Sequence, residues 1–223
     1  MIKGSASSSI LNSDYARWSG LVVMIAILWL LLPPFKVVSL DEQGHIPKDV
    51  EEVVFDASAY VELFWSESLA PHMSEASDLQ GLSQTVLADL SAAKEKYGNQ
   101  RAEGAAVYFF AKGEGIVREL EGRRATLDVD GVLVNLLIFP PVFGNTVRDS
   151  TGLLDVNDFP GLEEFNAVSA ALNKKVENDI MPFLKERAQV GTNISFVGCG
   201  KAPRSLGEGP ALEFIPLRTE VIK

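Results

Sequence analysis

The sequence predicts an α+β protein, mainly β with α additions, in which a small antiparallel barrel is capped by helices and preceded by one N-terminal transmembrane helix. Three observations predict this architecture. An uncharged apolar run lies near the N-terminus, several later segments carry apolar residues at three- and four-residue spacing, and short β-branched or aromatic runs are separated by glycines. We expect one soluble domain over residues 36–223.

Residues 18–35 form the predicted signal anchor, after a short polar tail over residues 1–17. The run has no charged side chain, and as a helix it spans about 27 Å, close to the roughly 30 Å of a bilayer core. Pro33-Pro34 would end this helix, because proline cannot donate the next hydrogen bond. A signal peptide cleaved after Ser39 and a buried core helix are the alternatives. We expect an uncleaved anchor with the N-terminus inside and the domain outside.

Helices are predicted in two parts of the soluble domain. Residues 56–97 carry two amphipathic segments, the first stopped by Pro71, and residues 160–190 carry the longest helix, which Pro182 ends or kinks. In that longest helix, apolar residues recur at steps of three and four: Leu162, Phe165, Val168, Leu172, Val176 and Ile180. Each helix therefore has one face that packs on another element.

Strands are predicted before and after the longest helix. Residues 105–140 are expected to form a four-strand antiparallel meander, with hairpin turns at Lys112-Gly113-Glu114-Gly115 and at Asp130-Gly131. Two returning strands are expected within residues 192–217. Together these strands make a small barrel with helical additions.

Composition excludes several function classes. The first 35 residues carry a net charge of +1 and the remaining 188 carry −11, so phosphate backbones would be repelled, and we expect no nucleic-acid partner. Cys199 is the single cysteine, and His45 and His72 match no ligand spacing, so no metal site is expected. No nucleophile, zinc or nucleotide motif is present, so we expect no cofactor and no enzyme activity.

The polar stretch between the last meander strand and the longest helix is the candidate site. Its candidate ligand- or partner-binding residues are Gly144, Thr146, Arg148 and Asp149. Arg148 and Asp149 are adjacent, so in an extended chain they point apart and meet separate partners rather than forming one ion pair. A site here could hold a sugar or a partner loop through guanidinium and carboxylate forks.

Two other interpretations of this stretch remain open. Arg148 could brace the loop by donating hydrogen bonds to carbonyl groups, while Asp149 caps a turn. Alternatively, Asp149 and Asp155 could serve as the paired carboxylates of a hydrolase.

A longer run around this site resembles the signature of a bacterial family of unknown function. The run is IFPPVFGNTVRDSTGLLDVNDFPGLEEFNAVSAALN, and FKVVSLDE and YFFAKGEGIV resemble the family too, so the likeness covers roughly residues 35–200. The matching positions of its glycine-threonine-arginine-aspartate pattern and of the following helix are Pro140, Gly144, Thr146, Arg148, Asp149, Asp158, Phe159 and Leu172-Asn173.

The resemblance implies an oligonucleotide/oligosaccharide-binding-like (OB-like) barrel and a location in the periplasm. Family members are described as predicted periplasmic lipoproteins, and their genes often lie beside sugar ABC-transporter genes. The resemblance implies no activity and no catalytic residues. Members commonly have a lipid-accepting cysteine just before a Lys-Val-Val segment, but here that place is Phe35, so this chain cannot be lipidated there.

These observations lead to one functional hypothesis and its alternatives. We expect a non-enzymatic accessory protein, anchored in the inner membrane with its domain in the periplasm, that works with components of a sugar ABC transporter. The first alternative is a module that binds a sugar directly at the Arg148/Asp149 loop, and the second is the carboxylate-dependent hydrolase.

Overall fold

The computed structural model describes residues 55–207 and 209–222, so the predicted tail, the anchor and residues 36–54 lie outside the described residues. Among the residues it describes, no helix combines the length and the apolar character needed to cross a bilayer. The helices are α1 (Ala57–Phe64), α2 (Ala70–His72), α3 (Leu79–Ala88), α4 (Leu90–Tyr97), α5 (Thr146–Ser150), α6 (Leu162–Lys175) and α7 (Met181–Arg187). The strands are β1 (Ser77–Asp78), β2 (Gly98–Gln100), β3 (Val107–Glu121), β4 (Arg124–Val129), β5 (Val132–Leu137), β6 (Asn193–Lys201) and β7 (Leu212–Ile222).

Five strands close into a barrel in the order β3-β4-β5-β7-β6, with β6 pairing back onto β3. The pairings are antiparallel except that β5 and β7 run parallel, and the short β1 also pairs parallel with β3. The α+β class with helices capping the sheet is confirmed, but the sheet is mixed rather than antiparallel throughout. The reason is the long connection after β5, which lets β7 enter beside β5 in the same direction.

The predicted four-strand meander is wrong, because residues 107–121 form one long strand, β3. Its first half pairs with β6 and its second half with β4, and the strand passes through the predicted Lys112–Gly115 turn without reversing. A Cβ atom at Gly113 would lie 2.6 Å from the Cβ of Leu79, and one at Gly115 would lie 2.9 Å from the Asp128 carbonyl oxygen. These glycines therefore serve close packing inside a strand.

Neither Pro71 nor Pro182 ends a helical segment, although the sequence predicts that Pro71 stops the first helix and that Pro182 ends or kinks the longest one. α1 continues through a π-helical turn, Trp65–Leu69, into α2, where Pro71 occupies the first turn. α6 likewise continues through the π-helical turn Val176–Ile180 into α7, with Pro182 in its first turn. Proline is tolerated at such positions because the wider turn leaves its missing donor without consequence.

The expected second helix is divided into α3 and α4 at Asp89. This residue is extended, with φ −156°, and its carboxylate accepts hydrogen bonds from the backbone N–H groups of Ser91 and Ala92. The capping bonds satisfy N–H groups that have no partner within α4, so a new helix begins there.

Two apolar cores lie on opposite sides of the barrel wall. The interior core includes Phe109, Leu127, Leu136, Ile194 and Phe214 from the strands, and Leu79, Leu82 and Leu184 from α3 and α7. The outer core lies between the outward faces of the strands and a helical layer, and includes Phe64, Phe165, Val168, Leu172, Val197, Cys199 and Leu217. The candidate site stands at the edge of this outer core, where the chain passes from β5 to α6.

Candidate functional site

Arg148 and Asp149 lie in α5, a five-residue helix, and not in an extended segment. Both are buried, with 4% and 5% of their surface exposed. The Arg148 guanidinium donates two hydrogen bonds to the Asp149 carboxylate, from Nε to Oδ1 at 2.8 Å and from Nη2 to Oδ2 at 3.3 Å. The expectation that the two side chains point apart is therefore wrong, because successive side chains of a helix are about 100° apart, whereas those of an extended chain lie on opposite faces.

A second arginine, whose side chain is 28% exposed, and a backbone carbonyl complete this network. Arg101 donates from Nε to Asp149 Oδ1 at 2.8 Å and from Nη2 to the Leu154 carbonyl at 2.5 Å. Arg148 also donates to the carbonyl of Phe165 at 3.3 Å and to Asn166 Oδ1 at 3.1 Å. Bracing of the loop by Arg148, one of the open interpretations, thus describes the geometry, and the charged groups are held by the protein itself.

The ring of Phe165 lies against both guanidinium groups. Their central carbons stand 3.7 Å (Arg148) and 4.8 Å (Arg101) from the ring centroid, within the range of cation–π attraction. Burial raises the pKa of the nearby Tyr108 hydroxyl, and the negative charge of Asp149 raises this pKa further. The network therefore joins α5, α6 and the region after β2, with Arg148 and Asp149 buried and the Arg101 side chain partly exposed.

Gly144 and Thr146, the other two candidate residues, set the backbone conformation at the start of α5. Gly144 has φ +76°, a conformation that favours glycine, and Thr146 is the first residue of α5. The Thr146 carbonyl accepts a hydrogen bond from Ser150 Oγ at 2.5 Å. The four residues lie in one continuous segment, and the contacts that they make in the structure hold the backbone of this segment in its conformation.

Residues 140–145, which include Gly144 and end just before α5, are held at several points by other elements. We call this segment the pinned loop. The Pro141 carbonyl accepts from Arg123 Nη1 at 2.5 Å, the Val142 N–H donates to Glu177 Oε1 at 2.6 Å, and the Gly144 carbonyl accepts from Asn173 Nδ2 at 2.9 Å. Hydrogen bonds of this kind fix a loop in one conformation before any ligand arrives.

A groove lies between the pinned loop and the helix that begins as α6. Its volume is about 490 Å³, within the range of small-molecule sites. The lining includes Phe143, Gly144 and Asn145 from the loop, and Asn166, Ser169, Asn173, Lys174, Glu177 and Asn178 from the helix. We call this feature the loop–helix groove.

Sequence reasoning missed this groove, although a signal for it exists. The helical lining residues, Asn166, Ser169, Asn173 and Glu177, recur at steps of three and four, the spacing of one helix face. That polar stripe runs beside the apolar stripe that predicted the helix. Phe143 carries no such signal, because only the structure shows that 72% of its surface is exposed while the neighbouring Val142 is buried.

Other polar groups on the barrel are paired within the domain. Arg118 and Asp128 form an ion pair at 2.7 Å, and Arg124 pairs with Glu213. The Arg118 guanidinium, followed by the Gly131 N–H, holds the pKa of the Asp128 carboxyl below its usual range.

Asp155, the second carboxylate of the hydrolase interpretation, caps the 3₁₀ turn Val156–Asp158. Within residues 55–207 and 209–222, no group of three or more His, Cys, Asp or Glu side chains could hold a metal ion.

Comparison with known proteins adds a family and a fold. The model of the family described as "Predicted periplasmic lipoprotein (DUF2291)" matches residues 24–218. No curated protein matches the chain. A crystal structure of an OB-fold protein from Thermotoga maritima is similar with a TM-score of 0.67 at 23% identity, covering 75% of this chain and 99% of that chain. This likeness concerns the fold, and it agrees with the five-stranded closed barrel.

Proposed function

Because this chain belongs to the family of predicted periplasmic lipoproteins, we propose that it is a non-enzymatic accessory protein of the bacterial envelope that acts by binding. In this proposal residues 18–35 anchor it in the inner membrane, the OB-like domain lies in the periplasm, and its partners are components of a carbohydrate ABC transporter. Phe35, where relatives carry the lipid-accepting cysteine, supports a protein anchor in place of a lipid.

The observation that carries the proposal is the pinned loop. Its conformation is held by the side chains of Arg123, Glu177 and Asn173, and the adjoining α5 is held by the buried Arg148–Asp149 pair. Several polar interactions, one exposed and two partly buried, thus fix one short surface segment, next to a helix held by a buried ion pair. Such preorganisation lowers the cost of ordering a surface when it binds a partner.

The carboxylates of the hydrolase interpretation are committed to structural partners, which also favours binding. Asp149 is bound by two guanidinium groups, and Asp155 accepts from the Asn157 N–H at 2.9 Å and from its Nδ2 at 2.7 Å. A general acid or base must be able to reach a substrate proton. An Asp149→Asn chain that still folds and supports full uptake would exclude that interpretation.

The test of the accessory role is carbohydrate uptake by a strain that lacks the gene. We expect slower uptake of a subset of labelled sugars, restored by the full chain, and crosslinks between the domain and transporter components in the complemented strain. Uptake that is unchanged for every sugar, together with no transporter crosslink, would overturn the proposal.

The proposed anchor is tested separately by mass and location. The intact protein is expected in the inner-membrane fraction at full mass, with its domain open to protease in spheroplasts. A control chain in which residues 18–35 are replaced by a cleavable signal should become soluble in the periplasm. Loss of residues 1–39 from the mature natural chain would contradict an uncleaved anchor.

A further inference from the structure

We propose that the loop–helix groove binds a ring of a neutral saccharide, with Phe143 as the stacking surface and the asparagine side chains of the helix as its polar partners. The inference deepens the proposed function and rests on it in one respect, that the domain meets carbohydrate. It moves the ligand away from Arg148 and Asp149, which are buried and bound to each other.

The aromatic wall of the groove is Phe143. Its ring is 72% exposed although the flanking Val142 is 6% exposed, so the pinned loop holds an aromatic face outward. The face of an aromatic ring is electron-rich, and the C–H groups on one side of a sugar ring are weakly positive and apolar. An exposed phenylalanine that a braced loop prevents from folding inward therefore suits a sugar ring.

The polar wall consists mainly of neutral amide groups. Asn145 Oδ1 accepts from Ser169 Oγ at 3.3 Å, and Asn166 Oδ1 accepts from Arg148 Nη1 at 3.1 Å. Because arginine only donates, the Asn166 amide is fixed with its oxygen toward Arg148 and its NH2 group is left as a donor for a ligand oxygen. The Ser169 hydroxyl also lies 3.3 Å from the Gly144 carbonyl and can both donate and accept, so Asn145 can present either end of its amide to a ligand.

Asn173 supplies the complementary acceptor. Its Nδ2 donates to the Gly144 carbonyl, whereas its Oδ1 is buried and has no hydrogen-bond partner among the described residues. Asn173 is 8% exposed and lines the groove. A buried acceptor without a donor is unfavourable. Because this oxygen has essentially no accessible surface, a small rotation of the side chain is required to turn it toward a ligand hydroxyl or a water held by that ligand. Hydroxyl groups both donate and accept, so a sugar fits this mixture of groups.

Charge favours a neutral ligand. The groove lining holds one cation, Lys174, and one anion, Glu177, and Glu177 already accepts from the Val142 N–H. There is no surplus of positive charge to bind a phosphate and no surplus of carboxylates to bind a cation. Glu177 and Asn178 lie in the π-helical turn Val176–Ile180, and such turns occur frequently at functional sites.

Calorimetry with the full-length protein in lipid nanodiscs tests the inference, because glycosidic detergents would themselves occupy a sugar site. The probes are D-glucose, D-galactose, D-ribose and D-xylose, with inorganic phosphate and tetra-alanine as the charged and the peptide probes. We expect saturable binding of at least one sugar and none of phosphate or tetra-alanine.

Three variants locate the binding. Phe143→Ala and Asn178→Ala change exposed groove residues, so both chains should fold, and each should weaken sugar binding by about tenfold, equivalent to the loss of one stacking or hydrogen-bonding contact. Phe143→Trp should retain binding because it keeps the aromatic face. Val190→Ala is the matched control, since Val190 is similarly exposed, at 66%, and does not line the groove.

The outcomes separate this inference from the accessory role. No heat with any sugar, or sugar binding that Phe143→Ala leaves unchanged, overturns the groove as a saccharide site even if deletion of the gene still slows uptake. Binding of tetra-alanine that depends on Phe143 overturns it in favour of a peptide ligand. Groove-dependent sugar binding combined with unchanged uptake in the deletion strain and no transporter crosslink supports the site and overturns the accessory role.

Discussion

Arg101 and Asp149 lie 48 positions apart in the sequence, and their side chains meet at 2.8 Å in the outer part of the domain. Arg148 reaches the same carboxylate oxygen from the adjacent position, so two guanidinium groups share one carboxylate and the three side chains carry a net charge of +1. This shared carboxylate ties the chain after β2 to α5 and to Phe165 of α6. The Arg148–Asp149 pair therefore connects three parts of the fold: the chain after β2, α5 and α6.

Replacing Asp149 should destabilise the domain strongly. Asp149→Asn keeps the size of the side chain but leaves the buried Arg148 guanidinium without its counter-charge. Breaking one side of a buried pair typically lowers the free energy of unfolding by about 3–5 kcal/mol. Urea denaturation of the purified chain, followed by circular dichroism, measures the change.

The matched control is Arg118→Gln in the ion pair with Asp128. The Arg118 side chain is 57% exposed, so its pair is screened by solvent, and we expect a loss below about 1 kcal/mol. Equal losses for the two variants would show that the Arg148–Asp149 pair is not buried in solution.

Replacing Gly113 tests whether this glycine is needed for close packing of β3 against α3 or for a turn. In Gly113→Ala the new methyl group would lie 2.6 Å from the Cβ of Leu79, so α3 or β3 must shift. Overpacking of this kind should lower the free energy of unfolding by about 1–3 kcal/mol. Gly207→Ala is the control, since no atom of the residues that the structure describes lies within 4 Å of its added Cβ. A Gly113→Ala chain as stable as the natural one would contradict the contact between β3 and α3.

Gly113 also shows why part of the fold could not be predicted from sequence. Glycines at alternate positions in a polar segment are typical of a turn, and only the position of Leu79 in α3 reveals close packing instead. By contrast, the Asp130-Gly131 pair is a sequence signal for a hairpin turn that depends on these two residues alone. The structure has the β4–β5 hairpin there, with φ +49° at Asp130 and +87° at Gly131.

The candidate site, like the fold, could be predicted from the sequence only in part. The sequence singled out the segment that contains Gly144, Arg148 and Asp149, because such residues are unusual between an apolar strand and a long helix. Their orientation depends on Arg101 and Phe165, which lie 48 positions before and 16 positions after Asp149, and no local pattern reports such contacts. The loop–helix groove was predictable in part, since Asn166, Ser169 and Asn173 share a helix face, but its other wall depends on how the pinned loop folds back.

Cys199 should be unreactive in the folded protein. It is fully buried in β6, and burial raises the pKa of its thiol to about 12, so the reactive thiolate is suppressed at pH 8. Labelling with a thiol reagent should be slow in native buffer and fast in denaturant, where the single cysteine gives one label per chain. Fast labelling in native buffer would contradict the packing of the outer core.

The same thiol adds a pH dependence to stability. The unfolded chain loses the thiol proton near its ordinary pKa of 9.0, whereas the folded chain keeps it up to about pH 12. The folded state then binds more protons than the unfolded state, so the free energy of unfolding falls as pH rises across this window. Cys199→Ala should reduce that slope when urea unfolding is measured at several values between pH 8 and pH 11.

Removing the Glu177 carboxylate should release the pinned loop. Glu177 Oε1 accepts the Val142 N–H at 2.6 Å and connects the loop to the π-helical turn. Hydrogen bonds to a charged group contribute about 1.5–3 kcal/mol, so in Glu177→Ala amide exchange at Val142 should accelerate by tenfold or more. Lys174→Ala is the control, because Lys174 is exposed on the same groove wall and should leave that exchange unchanged. If Val142 exchanges equally slowly in both variants, Glu177 does not hold the loop, and the preorganisation that supports the proposed binding role must come from Asn173 and Arg123.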